Sequence, residues 1–185
     1  MMRIVGRMGI TMIAVALAFT AAAARAQGVA PSRDEQLREM KKLDFMPGEW
    51  RGKAVHQLRG KETTVDMVEK IEARLDGLAI VIDGRGTVPD ADGKARTGHL
   101  AVGLINWDAE AHKYRFIAQT EKGYYTVADA NFADGALVWS FKTPAGSTRF
   151  RIRLNEKGQW RESGEFSRDE QTWSPFFEMT LDKVK

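Results

Sequence analysis

The chain has 185 residues, 28 Lys and Arg against 25 Asp and Glu, and no cysteine. That length suits one domain with a core of its own, and the lack of cysteine excludes a disulfide framework and thiolate metal sites. The three surplus positive charges, Arg3, Arg7 and Arg25, all lie in residues 1–26. The remaining 159 residues (185 less 26) carry 25 charges of each sign, which offers nucleic acid no net basic footprint.

Residues 1–26 read as a signal peptide. Arg3 and Arg7 precede the apolar run "ITMIAVALAFTAAAA", and Ala24-Arg25-Ala26 places small residues where a signal peptidase reads them. The predicted cleavage follows Ala26, and the expected location is periplasmic or secreted. No Cys follows the run to carry a lipid, and the two arginines are not adjacent as a twin-arginine signal requires. No later apolar run is long enough to span a bilayer, so the cleaved chain is expected not to be an integral membrane protein.

Residues 27–42 are predicted to be a tether and a short helix. Ser32 and Glu35 have capping-box spacing, and Leu37, Met40 and Leu43 follow at helical intervals, which predicts a helix over about 33–42. Pro47-Gly48 ends that segment.

From residue 43 to residue 185 the texture is that of strands. Runs rich in Val, Ile, Thr and aromatics alternate with turn residues such as Asp76-Gly77, Asp92-Gly93, Lys122-Gly123, Asp134-Gly135 and Lys157-Gly158. About ten strands at this spacing predict an all-β antiparallel barrel or sandwich, and no amphipathic helices separate them as a parallel sheet would require. Alternation sorts the faces. Trp50, Gly52, Ala54 and His56 share one face, and Val65, Met67, Glu69 and Ile71 share another. Phe150 and Ile152 oppose Arg149, Arg151 and Arg153. Residues 78–82 and 100–105 are apolar on both faces, which leaves open whether something covers them outside.

"LDFMPGEWRGK" at 43–53 contains Gly-x-Trp-x-Gly, and "GLINWDAEAHKYRF" and "ESGEFSRDEQTWSPFFEMTL" follow as strand-turn-strand units. These stretches resemble an uncharacterised family of secreted bacterial lipocalin-like (calycin superfamily) domains, and more distantly the haem-binding nitrobindins. The resemblance implies an up-and-down barrel of about 8–10 strands that is either filled by side chains or holds one small ligand. It also implies structural roles for Gly48, Trp50 and Gly52. Gly48 bends the chain, Trp50 plugs one end above the helix, and Gly52 leaves room beside the indole. A basic side chain of the last strand, with Lys183 the nearest candidate, is expected against Trp50.

Trp50, His56, Met67 and Glu69 are the candidate ligand-binding residues, all on inward faces by parity. His56 and Glu69 could pair across adjacent strands, either to orient a ligand or to satisfy each other. No catalytic set emerges. There is no Gly-x-Ser-x-Gly motif, and Glu162, Glu165 and Glu178 read as a charged outer face before they read as an acid/base pair. No metal site is expected: the three histidines are scattered, and Asp90-Ala-Asp92-Gly93 reads as a hairpin turn rather than a calcium loop. "DGRGT" at 83–87 lacks the context of a phosphate loop. Haem is disfavoured because nitrobindin-type barrels take their iron ligand from a late His and none follows His112, so no cofactor is expected. The leading function is therefore non-catalytic binding of a small, mostly apolar molecule. The alternative is an envelope interaction module with a filled barrel that uses the Arg149, Arg151 and Arg153 stripe. An enzyme built on His56 and Glu69 comes third.

Overall fold

A computed structural model describes residues 32–185, apart from Arg59. The predicted signal peptide and the first part of the tether lie outside the described residues. Helix α1 (Arg33–Met40) opens on Ser32, whose hydroxyl accepts a hydrogen bond from the Glu35 amide. A 3-10 turn over Lys41–Leu43 continues it.

Ten strands follow: β1 (Gly48–Leu58), β2 (Lys61–Arg74), β3 (Ala79–Pro89), β4 (Ala95–Asp108), β5 (Lys113–Thr120), β6 (Tyr125–Ala133), β7 (Ala136–Thr143), β8 (Gly146–Leu154), β9 (Trp160–Ser167) and β10 (Ser174–Lys183). Each pairs antiparallel with its neighbours in sequence, and β10 returns to β1, so the sheet closes into a barrel. Closure leaves no unpaired sheet edge.

The expected turns fall between the strands. At the turn before β5, Asp108 Oδ1 accepts hydrogen bonds from the amides of Glu110 and Ala111. Asp90 Oδ1 likewise closes the β3–β4 turn by accepting from Asp92 and Lys94. These local bonds satisfy backbone groups that the ladder cannot reach.

The two ends of the barrel differ. At one end α1 and the 3-10 turn pack across the opening. Leu43, Met46, Trp50, Ile105, Tyr114, Leu137 and Leu181 are essentially buried there, each large aliphatic side chain contributing about 1.5–3 kcal/mol by leaving water. Tyr114 Oη donates to the Glu39 carbonyl at 2.8 Å and fastens the helix to the barrel. The hairpins β1–β2, β3–β4, β5–β6, β7–β8 and β9–β10 lie at the opposite end.

Residues 100–105 are not covered outside. Gly103 and Ile105 face in, while Val102 is 57% exposed and Leu104 36%.

Candidate functional site

Gly48, Trp50 and Gly52 build the closed end. Trp50 Nε1 donates to the Met46 carbonyl at 2.8 Å, its ring meets Trp160 edge-on at 5.7 Å, and Lys183 Nζ stands 5.2 Å from the ring centre. Lys183 is therefore the basic partner expected of the last strand. The backbone of Gly48 lies at φ +141°, and a side chain there would also run into Lys183 Cε at 2.6 Å. A Cβ on Gly52 would overlap the Thr180 carbonyl of β10, so this glycine admits the neighbouring strand rather than making room beside the indole.

Above this plug lies a cavity of about 300 Å³. That is the space of roughly ten water molecules and the lower end of the range for small-molecule pockets. Its wall is apolar and aromatic. Trp139 stacks on Phe150 at 4.2 Å with 11° between the planes and meets Phe116 edge-on at 4.6 Å. Met67, Phe177 and Met179 complete the wall, and Trp160 and Ile152 reach it from the plugged end.

Two carboxyl groups enter this apolar space. Glu69 on β2 is only 8% exposed, and its Oε2 has no hydrogen-bond partner. It stands opposite Gly84 of β3, where a Cβ would come 2.9 Å from that oxygen. The glycines of "DGRGT" thus clear the interior. Gly84 makes room for the Glu69 carboxyl, and Gly86 makes room for Val65 and Met67. Burial, then the nearby Glu162 and Asp83, push the Glu69 acid up to about 8.

Glu162 on β9 lines the same cavity. Burial pushes its acid up to about 7, against the pull of the Trp160 and Trp139 indoles. Trp160 Nε1 donates to Glu162 Oε2 at 3.3 Å. Trp139 Nε1 helps to hold the charged form, yet it completes no hydrogen bond of its own. Near neutral pH such a pair of acids keeps part of its protons, because an apolar wall solvates carboxylate poorly.

The histidines stand toward the mouth. His56 is exposed, with its ring 4.8 Å from Phe177, and half-buried His99 lines the same space. Burial lowers the pKa of both. At His56 the His99 and Lys122 charges add to it, and at His99 the nearby Glu121 opposes it. Both imidazoles therefore favour the neutral form.

The cavity collects three of the four expected binding residues, His56, Met67 and Glu69. Trp50 is the exception: it pairs with Glu69 across β1–β2 but belongs to the plug, 1% exposed beneath the cavity. A direct His56–Glu69 pair does not form. The register sets Glu69 against Trp50 and His56 against Thr63, six residues along the strand, or about 20 Å at strand rise.

Glu162 is the residue that sequence reasoning placed wrongly. Its alternation with Trp160 and Gly164 was the signal that it faces in. Glu165 and Glu178 do face out, bonded to Arg149 at 2.7 Å and Arg161 at 3.0 Å. The expected basic stripe is largely neutralised: Arg149 holds Glu165 and covers the Trp173 ring at 3.9 Å, and Arg151 approaches Asp134 at 3.8 Å. Among the described residues, no three His, Asp or Glu side chains gather as a metal site, and no helix is long and apolar enough to cross a membrane.

No protein-family model matches the chain, and no curated protein does. Solved structures do match. Rv2717c from M. tuberculosis superimposes with a TM-score of 0.57 at 10% identity, covering 79% of this chain and 97% of that one. The S-type phycobiliprotein lyase CPES from Guillardia theta does so with a TM-score of 0.52 at 14% identity, covering 81% and 94%. At these identities the likeness is one of fold, and the described residues form a closed, ten-stranded antiparallel barrel.

Proposed function

We propose that the protein is exported and, without catalysing a reaction, binds a small, mostly apolar molecule inside its barrel. The observation that carries this reading is the cavity of about 300 Å³ above the Trp50 plug, walled by Met67, Phe116, Trp139, Phe150, Phe177 and Met179. A barrel selected only for stability fills its interior, since an unfilled apolar space forfeits packing contacts. Here Gly84 and Gly103 line the cavity, clearing room for the Glu69 carboxyl and the Phe116 ring that wall it. Export rests on the charge and apolar pattern of residues 1–26.

Native mass spectrometry of the protein purified from its own cell envelope tests the reading. The expected result is a non-covalent adduct of a few hundred daltons that is lost when Ala118→Phe fills the cavity, on a variant whose circular dichroism is unchanged. A bare protein mass after exposure to extracts of lipids and metabolites would count against it. An absorbance spectrum of the same sample shows whether the adduct is a haem.

A further inference from the structure

The geometry points to a basic anchor point in the ligand: the cavity is built for an apolar molecule that carries an amine, with the ammonium seated between Glu69 and Glu162. This rests on the binding reading above and names the ligand class for that site. A cavity for a purely apolar guest needs no carboxyl group. This one contains two, and burying an acid is costly unless something later pairs with it.

Three observations carry the argument. Glu69 is more than nine-tenths buried, lines the cavity, and leaves Oε2 without a partner. Gly84, opposite it on β3, clears the room that this carboxyl occupies on the cavity wall. Among the described residues that line the cavity there is no Lys or Arg, so no side chain there supplies a permanent counter-charge. The groups around Glu69 are Trp50 of β1, Gly84 of β3 with Asp83 beside it, and Glu162 of β9. His56 and His99 stand at the mouth, their pKa values lowered in an apolar setting. At the plug, the Lys183 ammonium lies over the Trp50 ring.

An ammonium group entering this space meets carboxylic acid. The acid releases its proton to solvent and the ammonium keeps its own, so the complex is an ion pair in a dry site. Charge-assisted hydrogen bonds of this kind are about twice as strong as neutral ones. One proton leaves for each amine bound. Affinity therefore climbs by up to about tenfold per pH unit until the carboxyl of the empty barrel is ionised. A neutral ligand that accepts a hydrogen bond from the acid shows the opposite trend.

Calorimetric titration with octylamine, octanol and octanoate from pH 5.5 to 8.5 decides the matter. At pH 8 octylamine is expected to bind about tenfold or more tightly than octanol, with octanoate weakest. Its affinity should fall with acidification while that of octanol holds or rises. In Glu69→Gln, and independently in Glu162→Gln, the octylamine-to-octanol ratio should collapse toward one. Octanol binding as well as octylamine, or an unchanged ratio in both variants, would overturn the anchor and leave the cavity reading standing. Failure of all three ligands to bind would overturn both.

Discussion

Replacing Glu69 by Gln should stabilise the empty protein by an amount that grows as pH rises above about 4.5. The folded barrel pushes this acid up to about 8 from its ordinary value of 4.5. Below pH 4.5 both folded and unfolded chains hold the proton, and the group costs nothing. Between 4.5 and 8 the unfolded chain ionises while the folded one resists, so stability drains away as pH rises. At about 1.4 kcal/mol per unit, the loss reaches roughly 3 kcal/mol at pH 7 and about 5 kcal/mol above pH 8. Gln matches the protonated acid in shape and does not titrate. Thermal unfolding of both proteins at pH 5, 6, 7 and 8, at fixed ionic strength, isolates the effect. The histidines contribute to both curves and largely cancel in the difference, which carries the Glu69 acid together with its coupling to Glu162. A domain of this size shifts by about 2–4 °C per kcal/mol. The two melting temperatures should nearly coincide at pH 5 and separate by about 10–20 °C at pH 8, with the variant higher. Parallel curves across the whole range would refute the reasoning and mean that water or a counter-ion reaches Glu69.

The plug and the seams carry further expectations. Trp50→Ala removes a fully buried indole and leaves the Met46 carbonyl without its donor. It should cost about 3–5 kcal/mol, read as a lower urea midpoint at unchanged slope. Gly52→Ala drives a methyl group into the Thr180 carbonyl, and about 3 kcal/mol or more should be lost by the same assay as β1 and β10 are forced apart. Tyr114→Phe deletes the hydroxyl that holds the Glu39 carbonyl. It should cost about 1 kcal/mol and raise amide exchange in residues 33–43 selectively.

Strand number and pairing order were legible because the chain punctuates itself. Turn residues recur between short β-rich runs, and up-and-down connectivity follows when every connection is short. The Trp50 plug was legible too, because a large aromatic beside Gly48 and opposite Lys183 sits where α1 must pack. Parity found Met67 and Glu69, since a half-buried strand repeats every two residues. Depth along a strand is a different matter. His56 and Trp50 share a face, yet one stands at the mouth and the other under the floor, and only the β1–β2 register separates them. Glu162 was hidden by its own chemistry. A carboxylate beside Arg161 and Glu165 looks like an outer face until Trp160 and Gly164 fix the parity. Gly84 and Gly86 gave no hint, because only the β2–β3 register shows which side chains they make room for.

Titration with N-phenyl-1-naphthylamine, a neutral probe that fluoresces in apolar surroundings, tests most directly whether the barrel is hollow and able to bind. The account predicts saturable enhancement with one probe per chain for the natural sequence. It predicts no enhancement for Ala118→Phe, whose added ring occupies the cavity while the fold persists. No enhancement with the natural protein, or equal enhancement in both, would contradict an interior binding site.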